Sequence, residues 1–550
     1  MMRCKAMIAA GMAAVFAAAM YFSVEGAGAA ELSLIPIPEK VVVKAGEFVL
    51  TADTVIVADR GAGAIGEYLA KLVGPATGFK LKVAGAGTKQ RAKKTIKLRI
   101  DPEAKSLGPE GYKLKVGASG VEISSSATAG IFHGVQTLRQ LLPARIESEA
   151  RVEGVKWAAP CVEITDKPRF RWRGLMLDTG RHFFPKEFVL KYIDEMALYK
   201  LNNLHLHLTE DQGWRIEIKK HPELTKIGAW RGKSTSKDLF LSPSGPAHGG
   251  FYTQEDIREI VAYAASRYVT VMPEIEMPGH SQAALASVPG LACTNQKFKV
   301  LTHWGVNKEV YCAGNEKVFE FLQDVITEVA GLFPGEYIHI GGDEVPKDRW
   351  KECPKCQARI KAERLKDENE LQSYFVSRME KFINSKGKKL IGWDEILEGG
   401  LPPRATVMSW RGISGGIEAA RQGHDVVMSP TTALYFDYKQ AAEGEPNVGS
   451  PLPLCRVYAF EPVPAELTPQ EAAHILGAQG NLWTEHVETP EHAEYMTYPR
   501  AAALAELTWS PASAKNFGDF LARLNPLLAR MDIMGVNSRK PKADEQSQCN

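Results

Sequence analysis

The sequence predicts an α/β protein: a (β/α)8 TIM barrel preceded by a small α+β domain. After the Lys167-Pro168 punctuation, eight short β-rich runs alternate with longer helical patterns, as parallel βα units require. Before it, short strands lead into a helix, the pattern of a layered α+β unit. Finally, every one of the eight strand ends carries carboxylates, aromatics or both, and strand ends are where such barrels gather their chemistry.

Taken in order, residues 1–30 read as a secretory signal. Arg3 and Lys5 precede an uncharged, alanine-rich run from Ala6 to Val24, and Ala27-Gly28-Ala29-Ala30 supplies small residues for cleavage before Glu31. The competing reading is a retained anchor, since the run approaches the ~20 residues that span a bilayer. Cleavage leaves no membrane span and places the chain outside the cell or in a periplasm. Export also permits disulfides. Cys293 and Cys312 bracket a loop-like segment and are the expected bridge, whereas Cys353 and Cys356 form a C-P-K-C lacking the second ligand pair of a zinc site.

Residues 31–166 form the expected α+β domain, with strands at Thr54 to Ala58, Thr95 to Ile100, Gly111 to Val116 and Val121 to Ser124 and a helix from Ala129 to Leu142. The barrel is assigned to residues 167–525. Its strands are Gly174 to Asp178, Asn203 to Leu208, Thr270 to Glu274, Tyr337 to Gly341, Lys389 to Trp393, Thr406 to Ser409, Asp425 to Met428 and Ile475 to Leu482. Between them, Lys186 to Tyr199, Gln254 to Arg267, Glu316 to Leu332 and Asn369 to Ser385 have apolar residues at helical spacing. Residues 526–550 are a helix end and a polar tail.

With 67 basic against 65 acidic side chains the chain is nearly neutral, which gives no electrostatic footprint for nucleic acid. No Gly-rich phosphate loop precedes a helix, so no cofactor is expected. The strand ends, read in order, present Asp178 and Arg181-His182, then Glu210-Asp211, Glu274 and His280, Asp343-Glu344, Trp393-Asp394-Glu395, Trp410-Arg411, Tyr435 and Asp437, and Trp483 and Glu485. Carboxylates interleaved with tryptophans suit a sugar, whose apolar ring face stacks on indoles while its hydroxyls meet fixed polar groups.

Each element has a plainer explanation alone. Asp343-Glu344 before Val345-Pro346 could start a helix, and a single tryptophan is more often core than platform. His205-x-His207 is the sharpest competitor, because metal-dependent amidohydrolases begin a metal site that way. Here the pair ends the second strand rather than the first, no downstream ligand set follows, and no metal is expected. A silent glycan-binding barrel would keep the tryptophans but dispense with the acid pair.

Four motifs together carry a resemblance: GLMLDTGRHFF from Gly174 to Phe184, HLHLTEDQGWR from His205 to Arg215, MPGH from Met277 to His280 and HIGGDE from His339 to Glu344. In this order they resemble the family 20 glycoside hydrolases, the β-N-acetylhexosaminidases, from about Pro168 to Trp509. The preceding region resembles that family's small α+β domain.

The resemblance implies exo-acting, retaining hydrolysis of a glycan bearing a terminal N-acetylhexosamine, GlcNAc or GalNAc. In this scheme the substrate's own acetamido oxygen is the nucleophile and an oxazolinium forms, an exception to the two-carboxylate scheme. It implies Glu344 as general acid and base, with a pKa expected to be raised by burial and its carboxylate neighbour. Asp343 would hold the acetamido N–H, and the Gly341-Gly342 pair would make the turn that presents both acids. Asp211 and His280 would support Glu344. Arg181, Asp437 and Glu485 would grip hydroxyls, Trp393, Trp410 and Trp483 would wall the pocket, and Tyr435 would bond the acetamido oxygen. Glu210 stands where many members carry Asp, a departure expected to touch none of these roles. A lacto-N-biosidase of the same family, releasing a disaccharide, is the nearest alternative.

Overall fold

Alternating apolar residues build the first layer. In the computed structural model, which describes residues 32–87, 93–233, 247–447 and 449–541, seven strands form one mixed sheet. They are β1 (Lys40–Val49), β2 (Val55–Ala58), β3 (Lys82–Gly85), β4 (Thr95–Ile100), β5 (Tyr112–Gly117), β6 (Gly120–Ser125) and β7 (Ala158–Asp166), in the order β1-β7-β5-β6-β4-β2-β3. Two helices, α1 (Gly63–Thr77) and α2 (Thr128–Leu141), cover it. Ile123, Ile131, Phe132 and Val135 lie in their shared core. The sequence reading passed over β1, β3, β7 and α1; α1 contains Gly66, Gly74 and Pro75, which blur its helical signal. The expected signal segment and most of the polar tail lie outside the described residues.

Eight parallel strands then close a barrel: β8 (Trp172–Asp178), β9 (Asn203–His207), β10 (Thr270–Glu274), β11 (Tyr337–His339), β12 (Lys389–Trp393), β13 (Thr406–Ser409), β14 (Val426–Met428) and β15 (Ile475–Leu482). Each pairs with the next and β15 returns to β8. β8 and β15 are buried along their whole length, as strands covered by helices on one side and barrel packing on the other must be. The surrounding helices include α3 (Lys186–Leu198), α4 (Gln254–Ala265), α5 (Gln282–Ser287), α6 (Glu316–Leu332), α7 (Asp348–Glu352), α8 (Pro354–Glu363) and α9 (Glu368–Ser385). α4 starts on a Thr253/Asp256 capping box and α9 on the Asp367 carboxylate. Glu110 of the first layer reaches Arg173 of β8 at 2.5 Å, and Asp166 reaches Lys200 at 3.1 Å, so buried charges tie the layers together.

The expected Cys293–Cys312 bridge is not formed. Both are free thiols, as are Cys353 and Cys356, and all four sulfurs converge. The C-P-K-C therefore has a second cysteine pair after all, contributed by loops distant in sequence. Among the described residues, no helix is long and apolar enough to cross a membrane.

Candidate active site

The C-terminal ends of the barrel strands surround a cavity of about 270 Å³. Its walls include Arg181, Trp304, Asp343, Glu344, Trp393, Trp410, Tyr435, Asp437, Trp483 and Glu485. Nine of these were expected there as catalytic or substrate-binding residues; Asp211 and His280 stand behind them, and Trp304 was missed. The volume falls just below the about 300–1,000 Å³ of drug-sized sites, which fits one sugar ring better than a chain of them.

Indoles shape the walls. Trp393 and Trp483 have ring centroids 5.6 Å apart, and Trp410 stacks on Tyr435 at 6.1 Å. Buried carboxylates fix two of them: Trp393 Nε1 donates to Glu274 Oε1 and Trp410 Nε1 to Glu395 Oε2, each at 2.8 Å. The Tyr435 and Trp483 ring centroids are 6.3 Å apart, and the Arg181 guanidinium lies 4.8 Å from the Trp483 ring centroid. Arg181 is held by Glu210 at 2.9 Å and Asp178 at 3.4 Å, with Glu485 at 3.8 Å.

The acid pair follows β11 on a sharp turn. Gly341 and Gly342 have φ of 65° and 89°, and Glu344 itself sits at 45°, a conformation that side chains rarely adopt and that the surrounding structure must hold in place. A Cβ on Gly341 would lie 1.8 Å from Glu276 Oε2, so glycine is required there for space as well as for conformation. Asp343 is turned inward and buried, and its Oδ1 has no hydrogen-bond partner. Burial, reinforced by the Glu274, Glu344 and Glu210 carboxylates, pushes its pKa up to about 7.

His280 stands behind the pair with Nε2 3.4 Å from Glu344 Oε2 and 3.7 Å from Asp343 Oδ2. Burial opposes its charge, but Glu210, Asp211 and Glu344 outweigh that and hold its pKa well above the ordinary value. The consequence corrects the expectation for Glu344: its bond to the His280 imidazolium holds it below the usual carboxylate range, against its partial burial. Asp343, not Glu344, carries the raised pKa.

A second correction concerns Glu210. His280 Nδ1 lies 2.8 Å from Glu210 Oε1 and 3.6 Å from Asp211 Oδ2, while Asp211 Oδ1 accepts the Gln282 N–H at 2.9 Å. Glu210 therefore touches both His280 and Arg181, two residues that the sequence reading placed in the site. The longer side chain at this position gives it that reach.

Beneath the pocket, His205, Glu274 and His339 converge, as do His207, Glu210 and Glu276. Glu274 meets His205 at 2.9 Å and His339 at 2.8 Å. His207 lies 3.2 Å from Asp178 and 3.3 Å from Glu276, and despite burial the Glu274, Asp178 and Glu276 carboxylates hold it protonated. His205, whose pKa burial lowers to about 4, meets Glu274, and His207 meets Asp178 and Glu276, so both histidines bond carboxylates beneath the pocket.

Comparison with known proteins agrees with this geometry. Residues 31–167 match the family model described as glycosyl hydrolase family 20, domain 2, and residues 170–512 match glycosyl hydrolase family 20, catalytic domain. A beta-hexosaminidase of Porphyromonas gingivalis is 52% identical over 445 residues, covering 80% of this chain but only 56% of its own length. The solved GH20 beta-N-acetylhexosaminidase of Streptomyces coelicolor superposes with a TM-score of 0.81 at 34% identity, covering 94% of this chain and 99% of that one. A Vibrio harveyi exo beta-N-acetylglucosaminidase in complex with N-acetylglucosamine gives 0.82 at 35% identity, covering 95% and 81%. The chain belongs to glycosyl hydrolase family 20.

Proposed function

We propose that this protein is an exo-acting, retaining β-N-acetylhexosaminidase that removes terminal GlcNAc or GalNAc from glycans. The observation that carries the reading is Asp343, a buried carboxyl that lines an aromatic cavity beside Glu344 and whose Oδ1 has no hydrogen-bond partner. A buried acceptor without a donor is costly unless a ligand supplies one, and the acetamido N–H of the sugar is such a donor.

In this reading Asp343 ionises and accepts that N–H, which turns the acetamido oxygen toward C1. The oxygen attacks C1 with the Tyr435 hydroxyl as its guide, the glycosidic C1–O bond breaks, and Glu344 gives its proton to the departing oxygen. Water then adds to C1 of the oxazolinium, Glu344 takes a water proton, and the acetamide reforms with the β configuration retained. Glu344 obtains its first proton from His280. Its side chain is 37% exposed in the empty pocket, and a bound sugar would cover it, raising its pKa until the proton moves across. Arg181, Asp437 and Glu485 hold the hydroxyls, and Trp393, Trp410 and Trp483 enclose the ring. The small cavity favours release of one sugar over release of a disaccharide.

Matched aryl glycosides with an acetamido or a hydroxyl at C2, each in gluco and galacto form, test this: turnover should require the acetamido group. Comparable hydrolysis of the hydroxyl compounds would remove the reading. Secretion or periplasmic export, with residues 1–30 cleaved, is part of the proposal and is tested by the N-terminal sequence of the exported protein.

A further inference from the structure

Four cysteines that this chemistry does not use meet at one point beside the site. Cys293 lies in the segment between α5 and α6, Cys312 shortly before the Asn315 cap of α6, and Cys353 and Cys356 at the start of α8, beyond the Asp343-Glu344 turn. Their sulfurs all lie within 4.8 Å of one another. The separations Cys293 to Cys356, Cys312 to Cys353 and Cys312 to Cys356 are each 3.7 Å. A zinc ion with Zn–S bonds of about 2.3 Å spaces its four sulfurs about 3.8 Å apart, whereas a disulfide needs about 2.05 Å.

The backbone around the sulfurs is built for this approach. A Cβ on Gly314 would fall 2.2 Å from the Lys355 carbonyl, so only glycine lets the Cys312 turn approach the C-P-K-C turn so closely. Pro354 occupies the first turn of α8 and Cys353 caps it. Trp350 Nε1 donates to the Tyr311 carbonyl at 2.9 Å, and the Cys312 N–H donates to the Leu291 carbonyl at 2.9 Å. Three chain segments are thereby held with their thiols facing one centre.

We propose that Cys293, Cys312, Cys353 and Cys356 bind one zinc ion in a closed, structural tetrathiolate site. Four protein ligands leave no open position, so the ion takes no part in turnover. It joins the segment after β10 to the helices that follow Glu344. The Tyr311 N–H donates to the Pro278 carbonyl at 3.0 Å, next to the loop that presents His280; the clamp therefore braces both partners of the His280–Glu344 contact.

The test is metal analysis of the full-length protein purified without chelator or metal-affinity resin, with mass mapping of alkylated cysteines. The expected result is about one zinc per chain, with all four thiols alkylated only after denaturation. Cobalt substitution should give the intense visible bands of a tetrahedral thiolate site. Cys353→Ser should lose the zinc and lower Tm, while Cys161→Ser, at a buried cysteine outside the cluster, should keep it. If Cys353→Ser fails to fold, the wild-type metal content and thiol map still decide. Disulfides among the four in freshly isolated protein, or iron or no metal in place of zinc, would overturn the proposal.

Discussion

His280 Nε2 lies 3.4 Å from Glu344 Oε2, and the protonated imidazole depresses the carboxyl that is read as the acid. In the free protein the pair holds one proton, resting on the histidine. The alkaline limb of kcat/KM should then report His280, whose pKa is raised, rather than a bare carboxyl. In His280→Gln only Glu344 can hold the proton, so that limb should move down by at least about one pH unit. An unchanged profile would separate His280 from the proton inventory.

Glu344→Gln keeps the shape and removes the proton. Turnover of substrates with poor leaving groups should fall by about 10² to 10⁴, and aryl glycosides with strongly acidic leaving groups should suffer much less. Equal losses across a leaving-group series would show that Glu344 does not protonate the departing oxygen.

Asp343 must be ionised to accept the acetamido N–H and to stabilise the positive oxazolinium. Burial raises its pKa to about 7, so it is neutral below that value and ionised above it, and kcat/KM should rise with pH through an acid limb above the ordinary carboxylate range. Asp343→Asn should abolish that limb and cost about 10² to 10³ in kcat. A variant with unchanged kcat would show the assignment wrong.

Gly341→Ala tests whether the turn places the acids. The added methyl meets Glu276 at 1.8 Å, whereas one at Gly444, also at positive φ, meets nothing within 4 Å. Gly444→Ala should cost only about 1 kcal/mol of backbone strain and keep activity. Gly341→Ala should lower Tm further and remove turnover; equal effects of the two would deny the turn its special role. Because the proposed zinc would be removable, chelator experiments should follow Tm alongside rate: loss of the clamp appears in both.

The barrel was legible because its strands are apolar runs bounded by polar strand ends. Thr270–Glu274, Lys389–Trp393, Thr406–Ser409 and Ile475–Leu482 have the bounds read from sequence. The site was legible for the same reason, since each strand end delivers a fixed residue to the mouth. Electrostatics was not. Whether burial or a cationic neighbour dominates a carboxyl depends on which atom faces which: Glu344, expected to be raised, is lowered by His280, and it is Asp343 that burial raises. Glu210 was discounted because its reach to His280 and Arg181 exists only after β9 turns. Trp304 arrives from a loop with no periodic signal, and the cysteine cluster is assembled from segments that only packing brings together.

The central claim is that the substrate's acetamido oxygen attacks C1. The most direct measurement is kcat for aryl glycosides whose N-acetyl group carries none, one, two or three fluorines, since each fluorine weakens that oxygen as a nucleophile without changing the sugar. The account predicts a steep fall in rate along the series. A flat series, with all four hydrolysed alike, would mean that the attacking atom belongs to the protein or to water.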